Sequence, residues 1–244
     1  EIRFCDWSSD VCSSDLFVYS GHWMQHWTGE YASTEFGGKG QRNEQYMSAL
    51  WISQYPREIK NIVDMVESTR GDDEKTNIHA VSRIMKVYIF SRLTDLYGDL
   101  PYFDAAKGYY SQIYAPKYDR QQDIYSDFFK ELDEAVKLID PSKDKITNDF
   151  YFEGDLARWK KFGNSLRLRL AMRLTKIDIG KAQLEAEAAI AGGVMESNAD
   201  MVIMRHVKVA WGGITSGGNG TSYVLMNSTL DAERSPVLDR KSVV

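Results

Sequence analysis

The chain has 244 residues, 43% hydrophobic and 12% aromatic, with a formal net charge of −5 at pH 7. A mildly acidic chain with no basic tract lacks the electrostatic footprint of a nucleic-acid binder, and no run approaches the ~18 apolar residues that a membrane-spanning helix needs. Both cysteines, Cys5 and Cys12, lie near the start, so the rest of the chain excludes disulfides and thiolate-held metals.

The first and last residues read as something other than protein. Asp6 to Leu16 back-translates into a common short-read sequencing adapter, and Asp239 to Val244 into the opposing one. Residues 1–16 and 239–244 are therefore expected to be adapter translation and are set aside, leaving residues 17–238 as a partial helical domain. A source nucleotide record with other codons there overturns this reading.

Residues 17–40 are aromatic and glycine-containing, a loop-rich entry with a short helix expected near His22 to Thr28. From Asn43 apolar residues recur at helical spacing, with Met47, Leu50 and Trp51 leading to Pro56. A proline is tolerated in a first turn, so Pro56 is expected to open a fresh helix. Ile59, Ile62, Val63 and Val66 carry its apolar face as far as Gly71. Asn77 is expected to cap the next helix, whose stripe of Ile78, Val81, Met85, Tyr88, Arg92 and Leu96 is wide enough to be packed on most sides. Gly98 can close that helix in a left-handed conformation and Pro101 forbids its continuation.

Residues 102–117 form a loop with Tyr109, Tyr110 and Tyr114. Asp119 is expected to cap the following helix, with Gln122 at the capping-box position. The stripe Ile124, Phe128, Leu132, Ala135, Val136 and Ile139 is apolar until Asp140-Pro141 stops it. After a polar-aromatic loop, Asp155 is expected to cap a helix from Trp159 to Arg173. A further helix, residues 181–191, closes at Gly192-Gly193. Little strand is expected.

Two stretches carry more than periodicity. In Leu93-Thr94-Asp95-Leu96-Tyr97-Gly98-Asp99-Leu100-Pro101 an apolar helix meets an abrupt exit turn. Downstream stands Trp159-Lys160-Lys161-Phe162-Gly163-Asn164-Ser165-Leu166-Arg167-Leu168-Arg169-Leu170-Ala171-Met172-Arg173. Together and in this order they resemble the Tyr-Gly-Asp-hydrophobic-Pro and Trp-x-x-Phe-x-Asn-Ser-Leu-x-x-Arg helices of the SusD/RagB family of nutrient-binding outer-membrane lipoproteins. The resemblance runs from about Tyr46 to Met204. It implies an all-α fold of stacked, tetratricopeptide-like helix hairpins with long irregular loops. It also implies an interior fragment, since relatives carry a signal peptide and lipid-attachment cysteine and extend further. The implied partners are an oligosaccharide or other small nutrient and a TonB-dependent transporter barrel, at the outer-membrane surface and with no cofactor.

Candidate binding residues are aromatic. Trp23 and Trp27, four apart, either stack on sugar rings or belong to the core. Tyr109 and Tyr110 share a loop where a flat platform could be displayed, or they simply cover helix surface. Trp211 lies in an irregular, glycine-rich segment and is a third candidate. Trp51 and Trp159, on apolar helix faces, read as structural. His22, His26 and Glu30 are too incomplete a ligand set for a metal centre.

Among the motif residues, Tyr97, Gly98, Asp99, Pro101, Asn164, Arg169 and Arg173 read as fold-holding. Arg169 and Arg173 repel as i, i+4 neighbours unless carboxylates meet them, and Asp95 and Asp99 are the expected partners. No nucleophile motif, P-loop or GxGxxG appears. The sequence therefore favours a binding protein without catalysis. Its rivals are a helical-repeat scaffold that binds only protein and an α-helical glycosidase using a pair among Glu30, Asp99, Asp104 and Glu153.

Overall fold

The structure is a computed structural model that describes residues 39–203, except for the side chains of Gln45 and Tyr46. The chain divides into two compact units, residues 1–54 with 206–244 and residues 55–205. The described part of the first contains α1 (Glu44–Gln54), on which Trp51 is half-buried. The expected helix near His22 lies outside the described residues.

The second unit starts with a π-helical turn, Tyr55–Ile59, so Pro56 stands inside a widened turn rather than at the first residue of an α-helix. It continues through α2 (Lys60–Ser68), α3 (Thr76–Tyr97), the single turn α4 (Gly108–Ser111), α5 (Gln121–Leu138), α6 (Leu156–Arg173) and α7 (Ile179–Ala191). The fold is all-α: the described residues contain no strand, and their β contact is the isolated antiparallel bridge of Leu100 with Asp119.

The central element is α3. Ala80, Ile84, Val87, Phe90 and Leu93 are fully buried on it, and Val81, Met85 and Ile89 nearly so. An apolar surface this wide needs cover on several sides, and α2, α5 and α6 supply it. The expected stripe ends early, because Leu96 is exposed. The α5 stripe is buried at Ile124, Phe128, Leu132, Ala135 and Ile139. Closest approach occurs at Gly163 on α6, where a Cβ would stand 2.7 Å from Val136 Cγ2 and 3.2 Å from Ile84 Cδ1. A methyl group there forces the packed neighbours apart, which costs about 1–3 kcal/mol.

Asn77 does not cap α3. It is completely buried at the second helical position, and its carboxamide donates to Asp140 O and Asp144 O at 2.7 Å each while accepting from Asp140 N at 2.8 Å. The orphan amides of Asn77 and Ile78 are met instead by the Asp144 carboxylate, at 2.7 and 3.0 Å. Sequence-local capping rules point at the wrong side chain because the acceptor arrives from a loop far along the chain.

The same loop seats α6. Asp149 accepts from Tyr151 N, Phe152 N, Gly154 N and the Trp159 indole, the last at 2.7 Å. Asp155 caps the helix as expected, accepting from Ala157 N and Arg158 N. Trp159 is buried with its ring edge-on to Phe152, centroids 5.0 Å apart, which makes it structural.

Charged ties cross the helix seams. Arg83 on α3 binds Glu131 and Glu134 on α5. Arg167 on α6 reaches Asp133 on α5 at 2.9 Å and Glu185 on α7 at 2.6 Å. Lys86 lies 4.6 Å from the Tyr102 ring centroid and 3.8 Å from Glu131. Burial lowers its pKa.

His79 adds a pH dependence. The Thr69 hydroxyl gives its proton to Met65 O at 2.6 Å, so it accepts from His79 Nδ1 at 2.9 Å. Burial, then the charges of Arg83 and Arg70, hold this imidazole below its ordinary 6.5. The unfolded chain therefore binds a proton that the folded chain resists. This contribution to stability is complete above about pH 6.5 and is lost as pH falls below it. Thermal melts from about pH 7 to about pH 5 should show Tm falling, and His79→Gln, which keeps a donor for Thr69, should flatten that part of the profile.

Candidate functional site

The exit turn after α3 determines what the molecule displays. Gly98 takes φ 76°, ψ −125°, a conformation that suits glycine, and its amide donates to Thr94 O at 2.9 Å. The Thr94 hydroxyl returns a bond to Gly98 O at 2.7 Å. Asp99 then accepts from Gln121 N at 2.9 Å, which caps α5 from the end of α3.

Asp119 works in the reverse direction. Its backbone exchanges both bonds with Leu100, at 3.0 and 3.2 Å, and its buried carboxylate accepts from Tyr102 N and Phe103 N at 3.0 and 2.9 Å. The expectation that Asp119 caps α5 is thus corrected. The carboxylate faces the preceding turn, the N-cap position falls on Arg120, and Asp99 is the capping acid. Tyr55 adds a bond from its hydroxyl to Pro101 O at 2.9 Å.

A loop fastened at both feet leaves the scaffold after Phe103 and returns at Tyr118. It exposes Tyr109 (90%), Tyr114 (83%) and Tyr118 (65%). Gly108 lies under Tyr114, where a Cβ would sit 3.2 Å from the ring, and Tyr109 meets Tyr110 edge-on at 5.2 Å. The Tyr110 hydroxyl donates to Asp64 on α2 at 2.6 Å, and that bond pushes its pKa up to about 12. Lys107 approaches Glu67 on α2 at 3.5 Å. The loop is therefore moored to α2 by Tyr110 while its neighbours face solvent.

Exposed phenol rings of this kind can cover apolar C–H faces and bond adjacent hydroxyl groups. Tyr109 and Tyr110 come together here. Trp23, Trp27 and Trp211, like His22, His26 and Glu30, lie outside the described residues. Tyr118 was not anticipated; its sequence signal, an aromatic directly before Asp119, looked like a helix boundary.

The second motif holds helix ends together. Asn164 donates to Gly192 O and Gly193 O at 2.8 and 3.0 Å, closing the C-terminus of α7. Arg173 reaches Asp95 at 3.1 Å, and Tyr125 donates to the same carboxylate at 2.5 Å. Asp99 is engaged with the α5 cap instead of with an arginine. Arg169 is exposed and makes no ion pair among the described residues. Besides Arg173, Arg167 ties α6 to its neighbours; its three-residue distance from Leu170 on the buried face places it along a seam, a signal present in the sequence.

The profile of SusD-like proteins, described as starch-binding and associating with the outer membrane, matches residues 9–212. The chain belongs to this SusD-like family. Among solved structures it is similar to a chitin-binding protein at 40% identity, with a TM-score of 0.79 over 89% of this chain and 45% of that one. A SusD-like protein from Bacteroidetes matches at 36% identity and TM-score 0.79, over 90% of this chain and 42% of its own. A chitin-binding SusD homologue from Flavobacterium johnsoniae matches at 28% and 0.66, over 90% and 43%. The SusD-like chain thus spans less than half the length of each. No match is found among proteins of curated function. No helix among the described residues is long and apolar enough to cross a membrane.

If Tyr110 is the mooring of the loop in this SusD-like chain, Tyr110→Phe should speed amide hydrogen exchange at Ser111 and Gln112. The pair is exposed, so Tm should change by less than about 1 kcal/mol of stability implies.

Proposed function

We propose that residues 17–238 are part of a cell-surface glycan-binding protein that captures an oligosaccharide, performs no chemistry on it, and passes it to a TonB-dependent transporter of the outer membrane. The observation that carries this reading is the 40% identity to a chitin-binding protein across nearly the whole chain. The exposed tyrosine loop supplies a matching surface. Tyr109 and Tyr114 would stack on sugar rings, with Tyr110 holding the loop in place and hydroxyl groups bonding the rim. Trp23, Trp27 and Trp211 are further proposed stacking residues.

The non-catalytic reading is supported by the acids. Asp99 is committed to the α5 cap, and Glu153 stands exposed on a loop residue with φ 56°.

Calorimetry of the full chain with chitin oligosaccharides tests the proposal. Tyr109→Ala and Tyr114→Ala should each weaken binding by about five-fold, the equivalent of about 1 kcal/mol of stacking. Trp23→Ala and Trp27→Ala should weaken it without lowering Tm much; unfolding instead would make them core. Binding to a TonB-dependent barrel with no heat on adding glycan would favour a protein-binding scaffold, and hydrolysis lost on substituting one acid would favour a glycosidase.

A further inference from the structure

A cleft of about 550 Å³ opens where the end of α3, the start of α5, the end of α6 and the start of α7 converge. That volume falls within the usual range for small-ligand sites, roughly 300–1,000 Å³. Its chemistry differs from that of the tyrosine loop. The charged groups on its wall are Asp95, Asp178, Arg173 and Lys181, so two cations face two carboxylates and the formal charge cancels.

The donors and acceptors alternate around the wall. Arg173 spends one N–H on Asp95, Lys181 spends one on Ser126 Oγ at 2.9 Å, and each retains others. Asp178 accepts from Lys181 N and keeps an oxygen spare. Gln122 offers a carboxamide with no partner among the described residues. Between the polar groups, Leu174 and the exposed Ile177 supply apolar surface.

This pattern selects a ligand class. A phosphate or sulfate would meet two carboxylates, and a metal ion would meet two cations. A neutral polyhydroxyl ring suits the cleft, because each hydroxyl both donates and accepts and the ring's C–H face can lie on Ile177. We propose that this cleft is a second saccharide site, taking one or two sugar units at a place separate from the tyrosine loop. The inference rests on the glycan-binding reading for its ligand class, while its residues are independent of that reading's.

The test is a backbone-amide NMR titration of the full chain with N,N′-diacetylchitobiose, and separately with inorganic phosphate. Disaccharide should shift Gln122, Ser126, Ile177 and Lys181, and these shifts should survive Tyr109→Ala/Tyr114→Ala. Gln122→Ala, a change at an exposed and unbonded side chain, and Lys181→Met, which keeps the apolar stem, should each weaken the cleft response by about ten-fold, as for loss of a hydrogen bond in a charged site. If loop amides move with the disaccharide and cleft amides do not, the second site is overturned while the glycan-binding reading stands. If phosphate moves the cleft amides and disaccharide does not, the cleft is an anion site and the inference is likewise overturned. No response anywhere overturns both.

Discussion

Asp99 and Asp119 exchange services across the chain. The first satisfies an amide at the start of α5, and the second satisfies the amides of Tyr102 and Phe103 just beyond α3. Between them Leu100 and Asp119 trade backbone bonds in both directions. The Tyr102 amide is buried, and a buried amide without an acceptor costs on the order of 1–3 kcal/mol, so the turn that leaves α3 has few alternatives to this pairing with Asp119. The relative placement of the two most buried helices and the footing of the tyrosine loop both follow from this exchange. Stability and display are thereby set by the same few atoms.

The rest of the helical stack is organised around α3 in a similar division of labour. Apolar contact supplies the driving force, through Phe90, Leu93, Phe128 and their neighbours. Polar groups choose the geometry. Arg167 joins α5, α6 and α7 through two carboxylates, and Asn164 fastens the far end of α7. Ion pairs that are half-buried, as these are, contribute modest net stability, and their directional geometry favours one arrangement of the helices over others of similar hydrophobic burial.

Much of this was legible in the sequence. Helical spacing located α2, α3, α5, α6 and α7, and Asp155 was recognisable as a cap because its acceptor and donors are neighbours in the chain. The SusD-like motifs pointed to the family. Errors cluster where a side chain acts over distance. Asn77 and Asp119 have the composition of helix caps, yet each turns to a partner that the chain brings in from elsewhere, and Asp99 does the capping that Asp119 was expected to do. Arg169 and Arg167 lie two residues apart, yet Arg167 enters a seam between helices and Arg169 faces solvent, a distinction that depends on the rotation of α6 against α5 and α7. Exposure of the tyrosines was likewise undecidable from composition, since a moored Tyr110 and a solvent-facing Tyr109 are adjacent identical residues.

The near-contact at Gly163 carries an evolutionary consequence. With Val136 on one side and Ile84 on the other already at the limit of approach, any lineage that gains volume at this position must shed it from a facing helix at nearly the same time. The three sites are expected to drift as a unit, and sequences that diverge widely on their surfaces should still show correlated exchange of bulk here.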